Sequence, residues 1–303
     1  MRGCFFGLAI GDALGRIVEY QSPGSFTPIY GFRSRSPMTQ PIGVWSEDTA
    51  MAVALADSIS NCSWDINDQM QRYLDWWRNG KYALHGKCTQ ISNTMSSALY
   101  HYEQNRDPET SGQFAASPES NGAIARLAPV VVHFGGMKND EFSLSDLASE
   151  SSRPTHVSLQ SQSACSYFSL ILEGLLLGES RDVVLSPTWA PYQQLSEQEL
   201  HSSVVTVLKG SFRQLQPPEI QASYYASKCL EAALWAFDEA NSFSEALIKA
   251  VNLGHDSNTV GAVCGQLAGA YWGCAGIPSE WLDALAGKDI LEYAFAGLQK
   301  QDY

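Results

Sequence analysis

Residues 3–15 read Gly3-Cys4-Phe5-Phe6-Gly7-Leu8-Ala9-Ile10-Gly11-Asp12-Ala13-Leu14-Gly15, and residues 261–273 read Gly261-Ala262-Val263-Cys264-Gly265-Gln266-Leu267-Ala268-Gly269-Ala270-Tyr271-Trp272-Gly273. Glycine recurs at every fourth position in both stretches. In an α-helix, positions i and i+4 share one face, so each stretch presents a glycine groove. A glycine inside a helix costs ~1 kcal/mol against alanine. Several in one helix need an offsetting gain, and the close approach of another backbone supplies it. The spacing predicts two helices in the centre of a bundle, placed to pack against each other, with both ends of the chain in one domain. A membrane dimer motif is excluded, because no run approaches the ~20 apolar residues that span a bilayer.

Around these stretches the pattern is helical nearly throughout. Helical stripes run over 48–60, 66–79, 93–104, 160–177 and 222–240. Gly80 stands where a C-cap glycine belongs. Ser242-Phe243-Ser244-Glu245 has capping-box spacing and opens a helix that ends near Gly254. Ile277-Pro278-Ser279-Glu280-Trp281 reads as a further start, with Pro in the first turn. Alternating strands are absent, so the predicted class is all-α, a single domain over 1–303. Glu179 to Gln221 carries Pro187, Pro191, Pro217 and Pro218 without a sustained period and reads as an irregular insertion. Arg106 to Ser120 reads as a polar loop interrupted by Pro108 and Pro118.

Composition narrows the function. The 303 residues hold 32 Asp plus Glu against 19 Lys plus Arg, a formal net charge of −13, which argues against broad binding to a nucleic-acid backbone. The seven cysteines include no C-x-x-C pair, which points to reduced thiols in a cytoplasmic protein, six of them as core filler. Met1-Arg2 and the apolar run to Gly11 could pass for a short secretory signal. Asp12 and Arg16 come too early for one, and no A-x-A site succeeds them.

Two clusters of oxygen side chains precede helices: Ser46-Glu47-Asp48-Thr49 and Asp256-Ser257-Asn258-Thr259. Each reads either as an N-cap, for which these residue types are preferred, or as a hard-cation site. Glu47 and Asp48 cannot both cap one helix, which leaves a carboxylate over. Glu19, one turn beyond Gly15, is either a solvated helix-end residue or a carboxylate aimed at a cation cleft.

The order of these segments resembles the ADP-ribosylglycohydrolases. Gly11-Asp12-Ala13-Leu14-Gly15 with Glu19 is similar to G-D-A-L-G-x-x-x-E. Trp45 to Met51 is similar to W-[ST]-D-D-T-x-M, and Ile91-Ser92-Asn93-Thr94 to I-G-N-T. Ser120 to Pro129 is close to G-N-G-x-x-M-R-x-x-P, Thr155-His156 stands at the family's T-H, and 250–272 matches A-V-N-x-G-G-D-x-D-T with its glycine helix. The resemblance implies one all-helical domain and a dinuclear Mg²⁺ centre. By position its ligands would be Ser46, Glu47, Asp48, Asp256, Asn258 and Thr259. Asn121, Gly122 and His156 would line an ADP-ribose cleft. Glu19 would stand near the scissile ribose, with Glu47 and Asp48 sharing the catalytic role. His255, where the family has glycine, is either an exposed loop residue or a further substrate contact.

The implied activity is Mg²⁺-dependent removal of an α-linked ADP-ribosyl group from a protein side chain or a small ADP-ribosylated molecule. Arginine, serine and nucleoside linkages all remain open. Two departures bear on it. Glu47 replaces an Asp, and Asn258 replaces a second one. Three carboxylates then face the four charges of two Mg²⁺, so one ion is expected to be well held and the other weak. A non-catalytic ADP-ribose-binding protein on the same fold is the alternative.

Overall fold

The computed structural model describes residues 1–32, 41–137, 143–195 and 200–299. Among these residues every regular element is a helix, apart from one isolated antiparallel bridge between Ser120 and Tyr225. The helices of nine residues or more are α1 (Arg2–Gly15), α2 (Glu47–Cys62), α3 (Ile66–Asn79), α4 (Asn93–Asn105), α5 (Leu144–Ser152), α6 (Leu159–Leu176), α7 (Ala226–Asp238), α8 (Phe243–Val251), α9 (Ser257–Trp272) and α10 (Lys288–Leu298). The all-α expectation holds, and the helix bounds fall within a few residues of those read from periodicity.

The axis of the fold is the antiparallel pair α1 and α9. Every residue of α1 from Gly3 to Gly15 is buried, as is α9 from Ser257 to Ala270. The glycines face each other in register. A Cβ on Gly3, Gly7 or Gly11 would overlap the carbonyl oxygen of Gly269, Gly265 or Gly261 respectively. The next turn pairs Gly15 with Ser257 and Asn258, and a Cβ there would stand 2.5 Å from both Asn258 N and Asn258 Cα. Gly273 departs from the expected groove. It lies just past α9 at φ +68°, where it ends the helix; its own Cβ would meet nothing, while its backbone carbon stands 2.6 Å from where a Cβ on Gly3 would be. The interlock fixes the segment after Gly15 against the start of α9, and both carry candidate site residues.

Several local readings change in the structure. Ser242 accepts from Glu245 N, but the Glu245 side chain turns to Asn241 N and Nδ2, so the capping box is half made. Pro278 is the N-cap of a short helix, Ser279–Ala284, and not part of its first turn. Pro108 does not interrupt its loop. It opens the helix Pro108–Ser111, whose N-cap Asp107 accepts from Glu109 N. Within 179–221 the described residues form the short helices Arg181–Val184 and Ser202–Leu208 and bury Val184, Leu185, Val204 and Phe212 beside α6 and α7. Four cysteines are buried, not six. Cys62 is exposed at the end of α2, Cys88 and Cys274 are half-buried, and all seven are free thiols. Among the described residues no helix is long and apolar enough to cross a membrane.

Candidate active site

A buried acid organises the cleft from below. Asp12 is the lone charged residue in the buried stretch Gly3–Gly15 and is fully inaccessible. Its Oδ2 accepts from Ser46 N at 2.8 Å, Thr49 N at 3.1 Å and Thr49 Oγ1 at 2.6 Å. Asp12 thereby satisfies donors at the start of α2 that would otherwise be orphaned. Ser46 adds a second cap by accepting from Asp48 N. With the N-terminus capped twice over, the carboxylates of Glu47 and Asp48 are both free for other work.

The start of α9 lies beside it. Asp256 is the N-cap by position, yet its side chain makes no capping bond. It points instead at Asn121 Nδ2, 2.5 Å away, and accepts from Thr259 Oγ1 at 3.1 Å. Asn121 is anchored by a second bond from Nδ2 to Ser223 O. The Ser120–Tyr225 bridge sets this spacing. Asn258 donates through Nδ2 to Ser46 Oγ at 3.3 Å and Asp48 Oδ2 at 3.4 Å. Its Oδ1 is buried and has no hydrogen-bond partner among the described residues.

These side chains line a cleft of about 420 Å³. Ser46, Glu47, Asp48, Asp256, Asn258 and Thr259 form one end; Glu19, Asn121, Gly122 and His156 line the rest. The structure therefore brings ten of the eleven sequence candidates together. His255 is the exception. Its backbone clasps the segment after α1, with His255 N donating to Gln21 O and Tyr20 N donating to His255 O, each at 2.7 Å. That clasp holds it at φ +49°, and its exposed side chain lines a separate groove with Pro218 and Trp235. The substrate-contact expectation for His255 is corrected to an exposed loop residue.

Glu47 also stands apart from the ion-binding expectation. Its two oxygens accept from Ser92 N at 2.6 Å and Ser92 Oγ at 2.7 Å, so it ties α2 to the start of α4. Ser92 was missed as a partner. The signal was its place in Ile91-Ser92-Asn93-Thr94, where glycine was the expected residue. Tyr20 and Tyr224, also not singled out from sequence, line the mouth, and Tyr20 accepts from Gln90 Nε2 at 2.6 Å.

The electrostatics are those of buried, crowded acids. Burial pushes the Asp48 carboxyl well above the usual range, and the neighbouring charges of Asp12, Asp256 and Glu47 add to it. Asp256 is raised by burial, with Asn121 and Thr259 opposing. Glu19, 3% exposed, is raised by burial, and Arg16 Nε, 3.8 Å away, only partly offsets it. The His156 ring is pushed well below its ordinary range by burial and then by Arg126. Among the described residues no three His, Cys, Asp or Glu side chains gather as a metal-holding group. The convergent donors at the Asp48–Asp256 end are two carboxylates together with amide and hydroxyl oxygens, and all of them are hard oxygen donors.

Residues 1–302 match the sequence family described as ADP-ribosylglycohydrolase. An ADP-ribosylarginine hydrolase of Serratia proteamaculans is 33% identical over 314 residues, covering all of this chain and 80% of that protein. The ADP-ribosyl-[dinitrogen reductase] glycohydrolase of Rhodospirillum rubrum is 26% identical, over 93% of this chain and 89% of that one. A solved structure titled ADP-ribosylglycohydrolase-related protein complex superposes with a TM-score of 0.84 at 35% identity, covering 98% of this chain and 95% of its own. The chain is an enzyme of the ADP-ribosylglycohydrolase family.

Proposed function

We propose that this enzyme hydrolyses the bond between ADP-ribose and an arginine side chain of a modified protein, with Mg²⁺ held at the Asp48–Asp256 end of the cleft. The observation that carries the reading is the meeting of Asp48 and Asp256 around Asn258, whose buried Oδ1 lacks a partner. Mutually repelling carboxylates beside an unused amide oxygen fit a hard divalent cation. Ser46, Asp48, Asp256, Asn258 and Thr259 would hold it. When bound, such an ion supplies Lewis-acid charge and a template for sugar hydroxyls. Because Ser92 engages both oxygens of Glu47, Asp48 and Asp256 are the carboxylates left to face any ions, which supports one well-held Mg²⁺ and a weak second position.

The chain's own residues account for the rest of the chemistry. Asn121 fixes the orientation of Asp256 from the far wall. Gly122 leaves room for the His156 ring, since a Cβ there would come within 3.0 Å of Nε2. Glu19 Oε2 is buried without a hydrogen bond. Burial raises its pKa, and it is the carboxyl placed to give a proton to the departing guanidine nitrogen as water adds to the anomeric carbon and returns a proton to it. The arginine linkage is supported by the similarity to ADP-ribosylarginine hydrolases from Serratia proteamaculans and Pseudomonas putida.

Calorimetric titration of metal-stripped protein with Mg²⁺ tests the assignment. Wild type should bind one ion tightly, and Asp256→Ala should lose it while circular dichroism stays helical. Two equally tight ions, or retained binding in Asp256→Ala, would contradict the donor set. Binding of ADP-ribose with no release from any modified peptide would favour the binding-only alternative.

A further inference from the structure

We propose that Arg126 and Thr155 are positioning residues that hold His156 as a neutral imidazole with its proton on Nε2, donating into the cleft; the inference rests on the substrate reading above only for what that proton meets. Arg126 comes directly after the short helix Gly122–Ala125 and is 1% exposed. Among the described residues no carboxylate pairs with it. Its guanidinium lies 4.8 Å from the centre of the Tyr73 ring and donates to Ser151 O at 3.2 Å and Thr155 Oγ1 at 2.6 Å.

A guanidinium only donates, so the Thr155 hydroxyl accepts from it and keeps its own proton to give. Two acceptors are in reach, Ser152 O at 3.4 Å and His156 Nδ1 at 2.7 Å. Ser152 O is already taken, because it accepts from His156 N at 2.6 Å and Thr155 N at 3.1 Å. The hydroxyl proton therefore goes to Nδ1. A ring nitrogen that accepts carries no proton, so the proton of the neutral ring is on Nε2. Nε2 abuts Gly122 at the cleft wall.

Charging the ring would require the Thr155 hydroxyl to turn away from Nδ1 beside a buried guanidinium. Arg126 is the charged group that acts on this ring, and it opposes a second proton, as does burial. His156 is then a fixed donor for a phosphate or ribose oxygen of the substrate, and it takes no part in moving protons.

Nitrogen-15 spectroscopy of the full-length chain, labelled at histidine, tests this directly, together with calorimetry using ADP-ribose. His156 should show the Nε2–H tautomer and no titration from about pH 5 to about pH 8. Thr155→Val should mix the tautomers and weaken ADP-ribose about tenfold, the loss of roughly one oriented hydrogen bond. Thr155→Ser should restore both. Arg126→Met should raise the His156 pKa while burial still holds it below its ordinary value; should that variant not fold, the Thr155 pair decides the matter. An Nδ1–H tautomer in the wild type, or an unchanged tautomer and affinity in Thr155→Val, would overturn the proposal. Because the tautomer is read without ligand, an Nε2–H ring in a protein that binds no ADP-ribose would support the positioning and sink only the substrate reading.

Discussion

Replacing Gly7 with alanine separates two physical effects of opposite sign. Helix propensity alone favours alanine by ~1 kcal/mol. In the folded protein the new methyl carbon would stand 2.9 Å from the Gly265 carbonyl carbon and 3.3 Å from a ring carbon of Phe243. Carbon contacts settle near ~3.5–4.0 Å, so α1 and α9 must separate by on the order of 1 Å. The obstacle is backbone and cannot swing aside. Overpacking of this kind costs ~1–3 kcal/mol or more, and here the strain runs along a helix pair buried over its whole length. The net expectation is a loss of about 2 kcal/mol, or at most about 8 °C in Tm for a domain of this size. Chemical denaturation monitored by circular dichroism measures it. Gly210→Ala serves as the comparison, because a Cβ at Gly210 meets nothing within 4 Å and is penalised only through its φ of +91°. A Gly7→Ala protein as stable as wild type, or more so, would refute the interlock.

Three further outcomes are expected at the site. Asn258→Asp adds a carboxylate beside Asp48; it should destabilise the metal-free protein and tighten Mg²⁺ by about tenfold or more in calorimetry, as a third nearby charge requires. Glu47→Gln should change Mg²⁺ affinity less than about threefold, whereas Asp48→Asn should lose more than about tenfold, because Ser92 and not the ion holds Glu47. The last concerns pH. Asp48, Asp256 and Glu19 have folded pKa values above their unfolded ones. Between the unfolded value near ~4 and the raised folded value, the folded state binds more protons, so the contribution of these groups falls as pH rises. A cation on Asp48 and Asp256 removes that penalty, so the Tm gain on adding Mg²⁺ should grow as pH rises above the unfolded value near ~4. A gain independent of pH would contradict it.

The glycine stretches were legible because their cause is local: i, i+4 spacing states a close approach outright, and the structure adds the register of the pair. The clusters at 46–49 and 256–259 were legible as chemistry, but sequence could not say whether they capped their helices. For 46–49 the answer depended on Asp12, a residue from another helix that shares the capping with Ser46; for 256–259 it depended on Asn121, to which Asp256 turns instead of capping. Ser92 and His255 show the same limit. Each stands at a family position, and what the side chain does there is set by a neighbour distant in sequence: Glu47 reaches Ser92 because it is one methylene longer than aspartate, and the Gln21–His255 clasp turns His255 outward. Arg126 was quoted within a motif, yet its burial without a carboxylate could be seen only in three dimensions. The boundaries around 106–120 were misread because Pro108 can break a helix or begin one, and Asp107 decides in favour of beginning.

The most direct test is release of ADP-ribose from an ADP-ribosylated arginine peptide by the metal-stripped enzyme, before and after addition of Mg²⁺. Release is predicted to depend on Mg²⁺, to be lost in Asp48→Asn and Asp256→Asn, and to be far slower on the serine-linked peptide. Equal release without the cation, or retention of activity in both variants, would contradict the proposed metal-assisted cleavage.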